Sequence, residues 1–230
     1  MSPLLSVVVP TLDEAPRLPR LLQDLTVFSV PREIIVADGG SRDGTRELAA
    51  ERGCRVVPSE PGRGRQLRAG IAAARGDWLL LLHADARLGA EAVAEAERAM
   101  ARPEVQHAAW PLAIAGDDPR LRWIERGAAL RWRLLGLAYG DQGLLVRRAL
   151  YETAGGYPDT AIMEDVTLVR RLRRLAPMHR FRHAIVADGR RWAREGVLRA
   201  SLRNVTLLLL YLAGVPADRL ARWYRPEPAR

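Results

Sequence analysis

The chain has 230 residues, somewhat more than the ~100–200 of a typical domain and too few for two full enzyme domains. Hydrophobic residues make up 48% and charged residues 27%, which is ordinary for a folded globular protein and excludes a disordered one. No uncharged apolar stretch reaches the ~18–20 residues of a membrane-spanning helix, and the first ten residues lack the basic region and cleavage site of a signal peptide. The one cysteine, Cys54, cannot form an intrachain disulfide, so we expect a reducing, cytoplasmic setting.

The net charge is +9, and all 36 basic side chains are arginine. Because arginine binds phosphate and carboxylate in a two-point geometry, this charge suits nucleic acid, an anionic membrane surface or a small phosphorylated ligand. A GC-rich coding bias would produce the same composition. The positions of the charges must therefore decide the function.

The first hundred residues alternate between short apolar runs and segments with helical spacing. Strands are predicted at 4–9, 33–37, 55–57 and 78–82, and helices at 18–25, 43–52, 67–75 and 90–101. This alternation predicts βαβ units and an α/β fold with a Rossmann-like, doubly wound, mostly parallel sheet that has helices on both faces.

The second half is less regular. Strands are predicted at 105–115, 143–146 and 181–187, and helices at 120–135, 164–175 and 196–212. The last six residues, 225–230, have the composition of a frayed tail.

Carboxylates follow three of the predicted strands. Asp13 and Glu14 come after the first strand, Asp38 after the second and Asp85 after the fourth. Each aspartate alone is also typical of a turn or a helix cap. In open α/β sheets, however, ligands bind beyond the carboxyl ends of the strands. Carboxylates at that edge, together with many arginines, predict a site for a polyphosphate and a hard divalent cation.

A basic segment, Gly62-Arg63-Gly64-Arg65-Gln66, lies at the start of the third predicted helix. Helix N-termini and glycine-rich backbone favour anions, so this segment is a second candidate phosphate ligand. It is not a Walker A motif, and the first strand does not lead into a dinucleotide fingerprint.

A third candidate is the pair Glu164-Asp165. Asp165 lies three and four residues before Leu168 and Val169, so it shares the inward face of that helix. It is either a satisfied helix cap or a general base that faces the cleft, and Glu164 is placed to orient a substrate or a neighbouring arginine.

Together these motifs resemble family 2 glycosyltransferases with the GT-A fold. The segments that carry the resemblance are VVVPTLDEAPRLPRLL, VADGGSRDGT, GRGRQLRAGIAAARGDWLLLLHADARL, GDQGLLVRRALYETAGGYP, MEDVTLVRRLRR and RRWAREGV. A bacterial subgroup labelled as arsenosugar-biosynthesis or selenodomain-associated glycosyltransferases is most similar, because it shares HAD, GDQG, MED and RRW.

The resemblance implies a role for each matching residue. The residues expected at the donor nucleotide are Pro10, Thr11, Glu14, Asp38, Arg63 and Arg65. Asp38 is expected to accept a hydrogen bond from a uracil or guanine base. Asp85 matches the last aspartate of the family's Asp-x-Asp motif and is expected to hold Mg²⁺ or Mn²⁺. His83 replaces the first aspartate and either ligates the metal or supports the loop.

Asp165 matches the family's general base. Residues expected near the acceptor or the leaving diphosphate are Gln142, Glu164, Arg191 and Trp192. The implied reaction is inverting transfer of a sugar from a UDP- or GDP-sugar to a hydroxyl of a small or lipid-linked acceptor. The implied organisation is one domain over 1–224, with a nucleotide-binding half at 1–100 and an acceptor half at 101–224.

Other interpretations stay open. A nucleotidyltransferase on a similar sheet would show a glycine-rich loop and a lysine after the first strand, and both are absent here. A basic nucleic-acid-binding protein is compatible with the charge, but no known binding module is present, so no nucleic-acid partner is expected. The helix around 202–212, with Arg199, Arg203 and Arg219, either lies on the inner membrane surface, packs as an ordinary helix, or forms a homodimer contact.

Overall fold

The computed structural model describes residues 4–224, so the predicted tail at 225–230 lies outside the described residues. Its strands are β1 (Leu5–Thr11), β2 (Arg32–Asp38), β3 (Arg55–Pro58), β4 (Trp78–Leu81), β5 (His107–Ala109), β6 (Leu112–Ile114), β7 (Leu144–Arg147), β8 (His179–Arg180) and β9 (Ile185–Ala187). Its α-helices are α1 (Leu18–Leu25), α2 (Thr45–Glu51), α3 (Arg63–Ala73), α4 (Ala90–Met100), α5 (Leu121–Leu135), α6 (Arg148–Thr153), α7 (Glu164–Leu175), α8 (Arg190–Glu195), α9 (Val197–Leu212) and α10 (Ala217–Ala221).

The main sheet has seven strands in the order β3-β2-β1-β4-β7-β5-β8. Strands β1, β2, β3 and β4 are mutually parallel, whereas β7 is antiparallel to both β4 and β5. This confirms the predicted α/β class with a mostly parallel sheet. A second sheet pairs β6 with β9 in parallel.

Both faces of the main sheet are buried. Along β1, Val7 and Val9 pack into a core with α1, α2 and α4, while Val8 packs into a second core with α3, α6 and α7. Because successive strand side chains point to opposite faces, a strand covered on both sides must be apolar throughout. The run Leu5–Val9 meets this requirement except at Ser6, whose buried hydroxyl donates to Glu33 Oε1 and accepts from the Gly76 N–H.

Three predictions of secondary structure were wrong. The single strand predicted at 105–115 is two strands, β5 and β6, separated by Trp110-Pro111 and lying in different sheets. Of the strand predicted at 181–187, only Ile185–Ala187 is strand, as β9, and the short β8 ends before this range in the other sheet. Proline has no N–H to donate, so the chain leaves one sheet at Pro111 and joins the next. Helix α3 begins at Arg63 rather than Leu67, so the basic segment is its first turn and not a loop.

Gly70 allows α3 to lie close to the sheet. A Cβ atom at this position would overlap Val8 Cγ1 and lie 3.2 Å from the Ala37 Cβ atom. Helix α3 therefore approaches β1 and β2 closely enough to hold its first turn at their carboxyl ends.

We predict that Gly70→Ala lowers the free energy of unfolding by about 1–3 kcal/mol, because the added methyl overpacks a filled interface. Gly127→Ala is the matched control, since nothing lies within 4 Å of a Cβ there. That change on α5 should stabilise the protein by about 0.5–1 kcal/mol through helix propensity. Denaturant unfolding checks both, and equal effects would contradict the close approach.

Candidate functional site

The carboxyl ends of β1 and β2 are joined by a buried network around Asp38. Its Oδ2 atom accepts hydrogen bonds from Thr11 Oγ1 at 3.0 Å and from the Ser41 hydroxyl, and its Oδ1 atom accepts from the backbone N–H groups of Gly40 and Ser41, both at 2.9 Å. Asp38 is only 1% exposed. Four donors within the protein thus hydrogen-bond the Asp38 carboxylate. The hydrogen bond expected between Asp38 and a nucleotide base stays a prediction.

A glutamine that sequence reasoning missed also links the ends of β1 and β2 beside the Asp38 network. Gln66 on α3 is buried, and its Nε2 atom donates to the carbonyl oxygens of Thr11 at 2.6 Å and Ala37 at 3.0 Å. It ties the first turns of α3 to the two strand ends. Pro10, half-buried beside Thr11, pairs in register with Ala37.

A second cluster joins the ends of β1, β4 and β9. The Arg190 Nη2 atom lies 2.6 Å from Glu14 Oε1 and 3.9 Å from Asp85 Oδ2. Arg17 lies 3.3 Å from both Glu14 Oε2 and Asp188 Oδ2. Three carboxylates therefore share two guanidinium groups at the rim of the cleft.

Burial and like charge act on the acids of this rim cluster. Desolvation, with added repulsion from Glu14 and Asp188, raises the pKa of Asp85 to about 6. Desolvation also raises the pKa of Glu14, although Arg17 opposes the rise. The cluster holds more negative charge than its arginines balance, which favours an added cation.

Asp165 lies at the start of α7, as expected, and its carboxylate is oriented by the backbone. Its Oδ2 atom accepts from the Gly140 N–H at 2.8 Å, and its Oδ1 atom accepts from the Val166 N–H at 2.7 Å. The side chain is half-buried. A carboxylate held this way at a cleft is suited to accept a proton from a bound hydroxyl.

His83 lies against the same loop. A Cβ atom on Gly140 would stand 2.9 Å from His83 Nε2 and 3.6 Å from Asp165 Oδ2. His83 Nε2 is buried and has no hydrogen-bond partner in the described part of the chain. Burial, together with the charges of Arg63 and Arg191, holds the pKa of His83 well below its usual value, so the ring is neutral.

Arg63 makes no ion pair or hydrogen bond with any described residue. Arg63 is exposed to solvent, and the charges of Glu164, Tyr224, Asp165 and Asp141 beside it raise its pKa against the effect of burial. An unpaired guanidinium in a cleft is a candidate phosphate ligand.

Two further acids surround Asp165. Burial, followed by repulsion from Asp165, raises the pKa of Glu164 to about 7. Gly64 makes room for this side chain, since a Cβ there would lie 3.2 Å from Glu164 Cγ. Asp141, which sequence reasoning missed, has a pKa raised by burial and a buried Oδ1 atom without a partner among the described residues.

Four residues that were predicted at the site contact other groups of the protein: Arg65, Gln142, Trp192 and Arg191. Arg65 is exposed and pairs with Glu60 at 2.7 Å and Asp159 at 3.6 Å. Gln142 is 1% exposed, accepts from Arg131 and the Tyr139 N–H, and donates to the Trp110 carbonyl, so it shapes the loop before β7.

Trp192 is 7% exposed and packs in a core formed by β6, β9, α5 and α9, which leaves almost no ring surface for an acceptor. Arg191 donates to the Tyr224 hydroxyl at 2.9 Å and pairs with Glu195 at 3.3 Å. Of these four residues, only Arg191 exerts its charge on His83 and Asp141 within the cleft.

Sequence reasoning missed the second guanidinium of the rim cluster, while the diphosphate role expected of Arg191 stays a prediction. Arg190, not Arg191, contacts Glu14 and Asp85. A sequence signal for Asp188 existed, because Ile185-Val186-Ala187-Asp188 repeats the tetrapeptide Ile35-Val36-Ala37-Asp38 that ends β2. Asp38 is the last residue of β2, and Asp188 comes directly after β9.

A mostly parallel α/β sheet whose strand ends carry acids and arginines defines a nucleotide-binding type of fold. The chain belongs to glycosyl transferase family 2, whose sequence pattern matches residues 6–163. The match ends immediately before Glu164 and Asp165, so the candidate base lies outside it.

Two curated relatives match shorter regions. A TPR repeat-containing protein of Synechococcus elongatus is 39% identical over 94 residues, which are 40% of this chain and 23% of that protein. A glucosyl-3-phosphoglycerate synthase of Mycolicibacterium paratuberculosis is 35% identical over 92 residues, 35% of this chain and 28% of the relative. The matched region thus spans less than a third of either relative.

Solved structures share the fold. TarS residues 1–349 from S. aureus have a TM-score of 0.66 at 15% identity, covering 94% of this chain and 68% of that one. A mannosyltransferase from Pyrobaculum calidifontis, in complex with GDP-Man and Mn²⁺, has a TM-score of 0.62 at 21% identity, covering 82% and 57%. Glucosyl-3-phosphoglycerate synthase from Mycobacterium tuberculosis, in complex with Mn²⁺, UDP and glucosyl-3-phosphoglycerate, has a TM-score of 0.58 at 20% identity, covering 81% and 70%.

We predict that Asp38→Ala lowers the free energy of unfolding as well as any affinity for a nucleotide. The change leaves buried donors on Thr11, Ser41 and Gly40 unpaired, at a cost of about 1–3 kcal/mol for each group left unsatisfied. Thermal unfolding with and without UDP or GDP separates the two effects. Loss of nucleotide affinity at unchanged stability would contradict the structural role.

Proposed function

We propose that this protein is an inverting, metal-assisted glycosyltransferase that moves a sugar from a nucleoside-diphosphate sugar to an acceptor hydroxyl. One observation carries the proposal. Asp85 of the rim cluster, the unpaired Arg63 and the oriented carboxylate of Asp165 are neighbours, because the charge of Arg63 acts on Asp85 and the charge of Asp165 acts on Arg63. Asp165 and His83 both lie against Gly140. The cleft thus combines cation ligands, a phosphate ligand and a base.

The donor is a UDP- or GDP-sugar in this proposal. The mannosyltransferase similar in fold was solved with GDP-Man, and TarS with UDP-GlcNAc. In this chain, Arg63 faces the diphosphate and the Thr11–Asp38 corner shapes the base pocket. Asp38 contacts the base only if the base displaces one of its four internal donors. The nucleotide-binding half is 1–100 and the acceptor half 101–224, within a single domain.

The residues at the rim fit a divalent cation. Among the residues that the structure describes, no group of three or more His, Cys, Asp or Glu side chains is arranged to hold a metal alone. Asp85 lies in a cluster with excess negative charge, and hard cations that keep phosphate oxygens as ligands need few protein carboxylates. Asp85 would hold the Mg²⁺ or Mn²⁺, with the orphaned Nε2 of His83 as a second candidate ligand. When bound, the cation neutralises charge on the leaving diphosphate.

Asp165 is the general base in this mechanism. With its two oxygens aligned by the Gly140 and Val166 N–H groups, it accepts the proton of an acceptor hydroxyl while that oxygen attacks the anomeric carbon. Attack from the face opposite the diphosphate inverts the configuration, as in hydrolases that place a base opposite the leaving group. Arg63 and Arg191 stabilise the departing negative charge.

The acceptor is a small or lipid-linked alcohol. Resemblance to the arsenosugar-associated subgroup favours a small acceptor. The subsite is bounded by Glu164, Asp141 and Arg191 beside Asp165. Gln142 holds the loop that carries Asp141, and Trp192 anchors the helix that carries Arg191. The competing nucleotidyltransferase and nucleic-acid-binding interpretations assign no role to a base at Asp165, and the following experiment separates them.

We predict that Asp165→Asn retains donor and metal binding while the rate of sugar transfer falls about 10²–10⁴-fold, because the amide cannot accept the proton. A panel of UDP- and GDP-sugars with Mn²⁺ should identify the donor by thermal shift, and product analysis should show an inverted anomer. Asp117→Asn, the same change at an exposed aspartate away from the site, serves as the control. Retention of configuration, or near-normal transfer by Asp165→Asn, would contradict the mechanism.

An exposed apolar stripe on α9 supports peripheral membrane contact. The side chains of Leu198, Leu202, Val205 and Leu209 are 63%, 69%, 53% and 59% exposed, at the spacing of one helix face. Arg199 lies beside the stripe, and α9 contains no acidic residue. None of the helices in the described range 4–224 has the length and apolarity to span a bilayer.

We predict that the protein sediments with vesicles containing phosphatidylglycerol and that Leu202→Gln/Leu209→Gln weakens this binding, because apolar burial and anionic lipid act together. Val27→Gln, which changes an exposed apolar residue elsewhere, is the matched control. If the double variant instead shifts the sedimentation mass in the absence of lipid, the stripe is a homodimer contact.

A further inference from the structure

Arg190 occupies the side of the rim cluster that faces Asp85. Its Nη2 atom bridges Glu14 and Asp85, at 2.6 and 3.9 Å, whereas Arg17 on the other side bridges Glu14 and Asp188. Both arginines contact the same glutamate, but only Arg190 reaches the aspartate at the end of β4. Of the two arginines, therefore, Arg190 pairs with Asp85 and Arg17 does not.

The placement of Arg190 is built into the backbone. It is the first residue of α8, and its N–H donates to Asp188 Oδ1 at 2.8 Å. The preceding Gly189 packs so closely on β6 that a Cβ atom would overlap the Ala115 carbonyl oxygen. The start of α8 is thereby fixed against the second sheet, so any displacement of the guanidinium must come from rotation of the Arg190 side chain.

A divalent cation on Asp85 conflicts with this guanidinium. A Mg²⁺ ion about 2.1 Å from Asp85 Oδ2 would lie within about 6 Å of the Arg190 Nη2 atom. Two like charges at that distance repel strongly in a partly buried site. The Arg190 guanidinium and the divalent cation would both pair with the carboxylates of Asp85 and Glu14, so each would weaken the binding of the other.

We propose that Arg190 is the resident counterion of Asp85 and Glu14 and competes with the divalent cation for them. Metal binding displaces the guanidinium from Asp85, so Arg190 sets the affinity of the empty site for metal. This inference rests on the proposed function, because it takes Asp85 as the metal ligand. It gives the arginine a role opposite to that of a ligand-binding group, since its removal strengthens metal binding.

The test is a Mn²⁺ titration of the full chain at pH 7.5, followed by the electron paramagnetic resonance signal of free Mn²⁺, without nucleotide or acceptor. This pH is higher than the pKa of the Asp85 carboxyl group, which burial raises to about 6. We expect Arg190→Gln to bind Mn²⁺ about tenfold more tightly or better than the parent protein. Arg190→Lys, which keeps the charge without the planar fork, should lie between the two.

Arg17→Gln is the matched control, because it removes a charge from the same cluster but not from Asp85. Competition at Asp85 requires a clearly larger effect for Arg190→Gln than for Arg17→Gln. Arg126→Gln, an exposed change on α5, should leave the affinity unchanged. Thermal unfolding confirms that each variant is folded, and Arg190→Lys reports on the site if Arg190→Gln is not.

The outcomes separate this inference from the proposed function. Equal or weaker Mn²⁺ binding by Arg190→Gln, with binding still lost in Asp85→Ala, would overturn the competition and leave the metal site intact. If the parent protein binds too weakly without nucleotide, the same series is repeated with UDP and with GDP. If Asp85→Ala binds Mn²⁺ as well as the parent protein under both conditions, the metal assignment itself is wrong.

Discussion

Neutralisation of the acids at the strand ends is the constraint on which the rest of the site depends. Parallel β1, β2 and β4 end at the same edge, so their terminal carboxylates meet where water is partly excluded. Such charges are stable only when they are paired, protonated or bound to a cation. The chain uses arginine for this purpose, from α1 for Glu14 and from α8 for Glu14 and Asp85.

The small second sheet positions Arg190, one of these counterions, beside the strand ends of the main sheet. Arg87, just after β4, forms a bridge with Val186 of β9, which fixes the end of β9 beside the end of β4. Asp188 and Arg190 follow that strand end directly. The irregular second half of the chain therefore completes a site that the regular first half begins.

Two aspartates that look alike in the sequence end up in opposite environments. Asp38 follows β2 and receives four internal hydrogen bonds, so its charge is satisfied within the protein. Asp85 follows β4, receives no side-chain hydrogen bond among the described residues, and carries a raised pKa. Only the second carboxylate is left in need of a cation, and this difference arises from the Thr11 and Ser41 hydroxyls rather than from the strand pattern.

The regular part of the fold could be predicted because local sequence alone determines it. The apolar runs of β1, β2 and β4 and the spacing of Leu18, Leu21, Leu22 and Leu25 on α1 suffice to indicate buried strands and covering helices. Part of the rim cluster could be predicted for the same reason, since Glu14 and Asp85 come shortly after the ends of β1 and β4, but Asp188 and Arg190 were missed. The placement of Asp165 on α7 needed only helical periodicity.

The remainder depends on contacts between distant segments. Whether Arg65 faces the cleft is decided by Asp159, which is far away in sequence, and whether Trp192 is exposed is decided by packing from α5 and α9. The choice between Arg190 and Arg191 depends on where α8 begins, and that is determined by the contact of Gly189 with Ala115. No periodicity in the sequence encodes these contacts.

Local backbone conformation gives a last link between fold and chemistry. Among the described residues, the non-glycine positions with positive φ are Asp13, at +55°, and Met163, at +60°. Such conformations cost of order 1–3 kcal/mol and persist where the surrounding structure requires them. Each of the two immediately precedes a glutamate of the cleft, Glu14 or Glu164. The positive φ turns the chain sharply at the two points where it directs an acid, one in the rim cluster and one beside Asp165, so the two parts of the site are built by the same local device.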